Sequence, residues 1–413
     1  MDILQNILAV FVILFIAYLL SNNRSEISAR TVLSALTFQV VFGALTIFSD
    51  VGRSIVDLVG KFVWWVVGAA NVGIEFMFGD IIKLDGYGFT FALQILPLMI
   101  FYSAVLAALN YFGVIQKIFR LVGGLLHKLM GTGHVESMVG ASIPIIGFCA
   151  APMMAKSYLP TVSKSSIFAI GTVGIACVSA DMLVGYALVG VPIDYLIPGL
   201  VMGIPGSFVM AKIVFPETEE LEKVLNNKHS DLEIEDEKPS NVIDAISTGA
   251  LDGLQVALSI GALIIAFIAI LTLSNNILGS FGGLFGYPEL KIELILGYIL
   301  IPITWLLGVP SSELISVGGL IGQKIILNEF VAFANLGELV KESVLSERSI
   351  VISTLALCGF ANIGSVSMLI GVFGEVANSR RQEIVNLGMK ILLTATLANF
   401  LSAAIGGLFF SLI

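Results

Sequence analysis

Two acidic residues stand where a chain this apolar has no ordinary use for them. Glu313 closes the stretch GVPSSE, Gly308–Glu313, which lies between the apolar runs Ile292–Leu307 and Leu314–Leu327. Asp181 sits in the middle of a second run, Ile167–Val189. A carboxylate accepts hydrogen bonds from hydroxyls or attracts a cation, and inside a membrane such a group is costly and functional by default. Cys149, Cys177 and Cys358 also lie in apolar runs, at no metal-ligand spacing, and indicate neither disulfides nor zinc. No cofactor is required, and no nucleophile–base pair or phosphate-cradling glycine loop points to an enzyme.

The runs flanking Gly308–Glu313 are roughly 14 to 16 residues each, and crossing a bilayer takes about 20. They are expected to form a re-entrant hairpin, broken at Gly308 and Pro310. Non-helical backbone at membrane depth is tolerated only where protein buries it or a polar cavity receives it. Broken helices offer free N–H and C=O groups to a solute, which is how midplane sites of secondary transporters are built. A soluble turn capped by Ser311 or Ser312 is the plainer alternative, and the composition opposes it.

Of 413 residues, 57% are hydrophobic and 12% charged, and mean hydropathy is +0.98. Soluble domains carry about 25% charged residues, so this is expected to be a polytopic membrane protein. The net charge of −9 is mostly local, because residues 216–240 hold nine acids against three lysines. That pattern predicts a solvated acidic connector and opposes a nucleic-acid partner. The run Ile3–Leu20 lacks a basic flank before it and a small-residue cleavage site after it, and is expected to be a retained span.

Taken in order, Ile3–Leu20 and Val32–Phe48 predict a helical hairpin (residues 1–50), its loop carrying Arg24 and Arg30 on the cytoplasmic side. Residues 51–215 read as an interfacial helix (Val51–Phe78), a span (Phe89–Phe112), an interrupted region (Leu121–Tyr158), the broken span with Asp181, and a span (Ile193–Phe215). Residues 241–413 repeat that order: an amphipathic piece (Asn241–Gln255) before a span (Val256–Leu278), the hairpin around Gly308–Glu313, an amphipathic piece (Asn328–Leu345), a span interrupted at Gly359–Ser365, and a last span. The expected architecture is all-α, with about eight transmembrane helices, two re-entrant hairpins, interfacial helices and an inverted repeat. About fourteen of the twenty-one Lys and Arg residues then fall on the cytoplasmic side.

Several motifs in sequence resemble the concentrative nucleoside transporters: FMFG (Phe76–Gly79), LPLMIFYSAVLAALNYFGVIQKI (Leu96–Ile118), GVPIDYLI (Gly190–Ile197), FPETEE (Phe215–Glu220), GVPSSE, NEFVAF (Asn328–Phe333) and CGFANIGS (Cys358–Ser365). The resemblance implies a multi-pass protein of the bacterial cytoplasmic membrane and a homotrimer. It further implies a scaffold, a mobile unit of hairpins and broken helices that moves as a rigid body, and coupling to Na+ or H+. It makes a nucleoside-like small molecule and the lipid bilayer the partners. Carried over, Glu313 is expected as the ribose carboxylate, Asn362 and Ser365 as ribose contacts, and Phe360 as a lining aromatic. Asn328 and Glu329 are equally well explained as a helix cap and a first-turn acid.

The base side departs from the family pattern. Where that pattern reads G-Q-[ST]-E-x-P, this chain reads GFCAAP, placing Phe148, Cys149 and Ala150 at the polar positions. An unmet buried donor or acceptor costs about 1 to 3 kcal/mol, so an ordinary pyrimidine edge is expected to bind less well. The cation side departs too: Ile143 replaces an Asn, Ile146 and Cys177 fall in the coupling set, and Asp181 is expected to carry a coupling proton instead. A non-transporting sensor derived from a transporter, or a transporter of a non-nucleoside solute, are the rival readings.

Overall fold

The computed structural model describes residues 2–82, 91–156, 158–218 and 239–413, with the side chain of Asp181 and most of the acidic connector (219–238) outside the described residues. Among the described residues there is no strand, and the all-α expectation holds.

Two helices open the chain, α1 (Asp2–Leu19) and α2 (Ala29–Gly43), each packed mainly on later helices rather than on the other. Next comes α3 (Asp50–Phe78), which buries one stripe at helical spacing, Gly52, Val56, Gly60, Val67, Ala70 and Ile74, and exposes Phe62, Trp65 and Phe76. At 29 residues it is long and apolar enough to cross a bilayer, so its length does not demand the interfacial placement expected above. A single turn, α4 (Phe91–Gln94), leads into α5 (Leu96–Tyr111), then α6 (Val114–Met130) and α7 (His134–Ala150). The first broken helix is α8 (Lys164–Ala176) and α9 (Ala180–Leu188), followed by α10 (Ile193–Val214).

The second half begins with α11 (Val242–Gly283), one helix of 42 residues where an amphipathic piece and a separate span were expected. No proline separates the two pieces, so the backbone ladder continues from one into the other. Then come α12 (Ile292–Leu306), α13 (Leu314–Ile326) and α14 (Glu329–Lys341), the second broken helix α15 (Glu347–Leu357) and α16 (Ile363–Val376), and α17 (Arg381–Phe410). Among the described residues seven helical stretches are long and apolar enough to cross a membrane, while α1, expected as a full span, and α8, α12, α13 and α16 are shorter apolar segments. Short apolar pieces beside full spans are what re-entrant and broken helices require.

Burial divides the molecule. From Ser165 to Ala176 every residue of α8 is buried, and most of α10 and α17 is buried with it. In contrast α11 exposes Ile265, Leu273 and Ile277, and it packs closely on α5: a side chain at Gly253 would meet the α5 backbone at Met99 within 2.8 Å. The first two helices join the buried group separately, α1 against α17 and α2 against α10.

Candidate functional site

Both broken helices stop at residues that cannot continue the ladder, and their breaks meet. After α8 the chain turns extended at Cys177 (φ −105°, ψ 154°) and restarts at Ala180. Past α15 it runs through Cys358 and Gly359 to Asn362, whose Oδ1 accepts from Ser365 N (2.8 Å) and Ser365 Oγ (3.1 Å), capping α16. Gly359 is needed for this approach: a methyl group there would stand 2.3 Å from Ala176 O and 2.6 Å from Asn399 Oδ1. The last turn of α8 is thus in direct contact with the second break.

The first hairpin arrives at the same place. Within α7, Gly147 adopts φ 78° and ψ 164°, a region that essentially only glycine occupies, and the chain reverses there into a short 3-10 turn, Ala151–Ala155. Phe148 is buried, its ring centroid 5.6 Å from that of Phe360 at an interplanar angle of 45°, while Cys149 and Ala150 are exposed. Within the interrupted region Leu121–Tyr158 the chain also breaks at Gly131–Gly133, which separates α6 from the hairpin arm.

The second hairpin differs from the expectation in which turn forms its tip. Asn362 Nδ2 donates to Glu329 Oε2 (3.0 Å), and Tyr186 Oη donates to Glu329 Oε1 (3.4 Å). Glu329, Asn362, Ser365 and Tyr186 are all buried. Glu329 reaches them because α13 ends at Leu327 (φ −98°, ψ −92°) and Asn328 caps α14, its Oδ1 accepting from Val331 N at 2.9 Å. Asn335 on α14 reaches back to Gln323 on α13 (2.7 Å), closing the hairpin. Among the described residues, the carboxylate bonded to the second break is that of Glu329, from a residue that local reasoning explained as a first-turn acid.

Glu313 lies elsewhere. Its Oε2 accepts from Ser346 N (3.1 Å) and Ser346 Oγ (2.9 Å), at the far end of α15. The eleven residues of α15 place that contact about 16 Å along the helix from the break. The same turn is pinned by Arg348, whose Nε donates to Gly308 O (2.7 Å) and whose Nη2 donates to Asn6 Oδ1 (2.6 Å), and Asn6 Nδ2 donates to Leu307 O (2.7 Å). Gly308–Glu313 is a clasp between helix ends, and no contact joins Glu313 to Asn362 or Ser365 among the described residues. Glycine and proline marked a turn correctly, but the turn at the site is made by a capping asparagine.

Chemically, the Glu329 carboxylate can accept about four hydrogen bonds, and two side-chain donors together with its own backbone N–H occupy part of that capacity. Hydroxyl groups of a sugar suit the remainder. Of the expected coupling positions, Ile146 is half-buried and aliphatic and Cys177 offers a thiol 3.9 Å from Ser207 Oγ, neither of them a hard oxygen ligand, while the side chain of Asp181 lies outside the described residues; Ile143, where the family pattern has Asn, is fully buried and aliphatic. Hard cations take carboxylate, carbonyl or water oxygens.

Residues 8–81 match the family described as Na+ dependent nucleoside transporter N-terminus, and residues 195–407 its C-terminus. The chain is 41% identical to the uncharacterized transporter YutK of Bacillus subtilis, covering 99% of this chain and all of that one. It is 38% identical to the nucleoside permease NupC of Helicobacter pylori over 99% of this chain and 98% of that one. Among solved structures it is similar to CNTnw in an inward-facing substrate-bound state, with TM-score 0.93, 38% identity, and coverage of 100% of this chain and 99% of that one. It is equally similar to a CNTnw double variant in an outward-facing state, with TM-score 0.94 and full coverage of both chains. Matches on both halves, full-length relatives and a shared all-α architecture agree that the chain belongs to the concentrative, Na+ dependent nucleoside transporter family.

Proposed function

We propose that this chain is a proton-coupled importer of nucleosides or a related ribosyl compound in a bacterial cytoplasmic membrane, with the ribose held by Glu329, Asn362 and Ser365. The observation that carries this reading is the buried Glu329–Asn362 hydrogen bond (3.0 Å), which joins the second hairpin tip to the second break. A ribose hydroxyl donating to an ionised carboxylate makes a charge-assisted bond, roughly twice as strong as a neutral one. Phe360 and Phe148 flank the base, and Cys149 and Ala150 replace polar partners, so a base with a less polar or rearranged edge is favoured. Glu313 serves the clasp in this reading rather than the substrate.

The proton reading rests on the aliphatic and thiol side chains at Ile143, Ile146 and Cys177, and on Asp181 in α9 as the acid available to exchange a proton. Movement is of the elevator type, and the trimer implied by the family supplies the scaffold. The test is uptake of labelled uridine, adenosine, inosine and pseudouridine into proteoliposomes under separately imposed gradients. Saturable uptake is expected with an inward proton gradient and none with sodium alone. Uptake driven only by sodium overturns the coupling, and no uptake of any nucleoside by folded protein overturns the substrate class.

A further inference from the structure

A buried lysine that the transport reading leaves unused stands where the two broken helices converge. Lys324, on α13, is 1% exposed. Its Nζ donates to Ala356 O in the last turn of α15 (2.8 Å) and to Asn399 Oδ1 on α17 (2.6 Å). Asn399 Nδ2 in turn donates to Ala176 O, the last residue of α8 (2.7 Å), and to Cys358 O (3.1 Å). One side-chain pair therefore collects carbonyls from the C-terminal ends of both half-helices, one from each repeat.

Each such end carries about half a negative charge. In broken-helix transporters, carbonyls at half-helix C-termini coordinate sodium or take part in proton coupling. Here Asn399 bonds the carbonyls of Ala176 and Cys358 but brings no charge, and the positive group beside it is the ammonium of Lys324, which bonds Asn399 and reaches one helix-end carbonyl, Ala356 O, directly.

We propose that Lys324 is a built-in, non-exchanging cation at the meeting point of α8 and α15, and that it positions both breaks and the hairpin carrying Glu329. The ion that couples transport then binds elsewhere. As a positioning residue for the substrate site, Lys324 rests on the Glu329 reading, but its role as a resident cation does not.

Chemical rescue separates the two. In Lys324→Ala the lost stem and ammonium leave a space that a primary alkylammonium ion fills. The variant is expected to unfold in detergent at a lower temperature than wild type. Added n-propyl- or n-butylammonium chloride should raise that temperature saturably, with methylammonium weaker and choline chloride inactive. The same ions should restore nucleoside uptake at least tenfold in liposomes. In Lys324→Met, where a side chain of similar length fills the space, no amine should rescue.

Restored stability without restored uptake, in a protein whose wild type transports nucleosides, keeps the resident cation and refutes its positioning of the substrate site. Failure of wild-type uptake overturns the nucleoside reading and leaves the stability arm to decide the cation. Rescue by choline equal to that by butylammonium, or wild-type stability and uptake in Lys324→Ala, overturns the proposal. If Lys324→Ala does not accumulate, recovery of folded, transporting Lys324→Arg but not Lys324→Met supports it, and the reverse order contradicts it.

Discussion

Glu329→Gln weakens nucleoside binding and uptake roughly 10- to 100-fold, whereas Glu313→Gln leaves both within about twofold of wild type. The first figure follows from losing a hydrogen bond to a charged acceptor, worth about 1.5 to 3 kcal/mol, at about 1.4 kcal/mol per tenfold. Gln keeps the shape and one acceptor, so the Asn362 contact (3.0 Å) survives and the fold is not the casualty. At Glu313 the donors are Ser346 N and Oγ, whose bonds a Gln oxygen keeps in weaker, neutral form, and a change of that kind away from the site stays within about 0.5 kcal/mol. Equilibrium binding and proteoliposome uptake of both variants beside wild type check this. A large loss in Glu313→Gln with none in Glu329→Gln would reverse the assignment of the substrate carboxylate.

Glu136→Gln costs the folded state about 1 to 3 kcal/mol, read as a lower unfolding temperature in detergent. Glu136 is wholly buried; its Oε1 accepts from Gly133 N (2.7 Å), capping α7, and its Oε2 accepts from Lys212 Nζ (2.8 Å) near the end of α10. Lys212 also donates to Ser165 Oγ (3.1 Å) at the start of α8. The pair therefore ties the first hairpin and the first broken helix to α10. Glu217 Oε2 stands 3.9 Å from Lys212 Nζ as a second, more distant counter-charge, so losing the Glu136 carboxylate leaves the buried ammonium less compensated rather than alone, whereas replacing both partners by apolar groups of similar volume is often neutral. The double variant Glu136→Leu with Lys212→Met is accordingly expected to regain most of the loss. A thermal-unfolding double-mutant cycle measures it, and additive effects of the two single changes would show that the pair is not coupled.

Much of the fold was legible because a bilayer imposes simple lengths. Apolar runs near 20 residues gave α2 and α10, and the interruption expected at Gly359–Ser365 matches the break after Leu357, whereas the broken span Ile167–Val189 carried no expected break position and the structure places it after Ala176. Gly147 marked its reversal because no other residue type tolerates that backbone. The site was less legible, and the reason is specific. Helix breakers report where a chain turns, not what the turn touches, so Gly308 and Pro310 drew attention to a clasp at the end of α15. The turn that meets the break carries neither glycine nor proline, and Glu329 meets Asn362 across 33 residues of sequence. Asn328–Glu329 had a sufficient local explanation as a cap and a first-turn acid, which hid the tertiary contact. Lys324, Asn399 and the Glu136–Lys212 pair could have been found by asking of each ionisable or amide group in an apolar run which partner repays its burial.

The central claim, that ribose hydroxyls are held at the Glu329–Asn362–Ser365 junction, is tested most directly by competition against uptake of the best labelled nucleoside. The competitors are the same unlabelled nucleoside, its 2′,3′-dideoxy analogue and its free base. A site built to bond hydroxyls leaves its own polar groups unpaired when they are missing. The account predicts that the dideoxy analogue and the free base compete roughly 10- to 100-fold less well than the nucleoside. Equal competition by all three would contradict it, because the recognised part would then be the base alone.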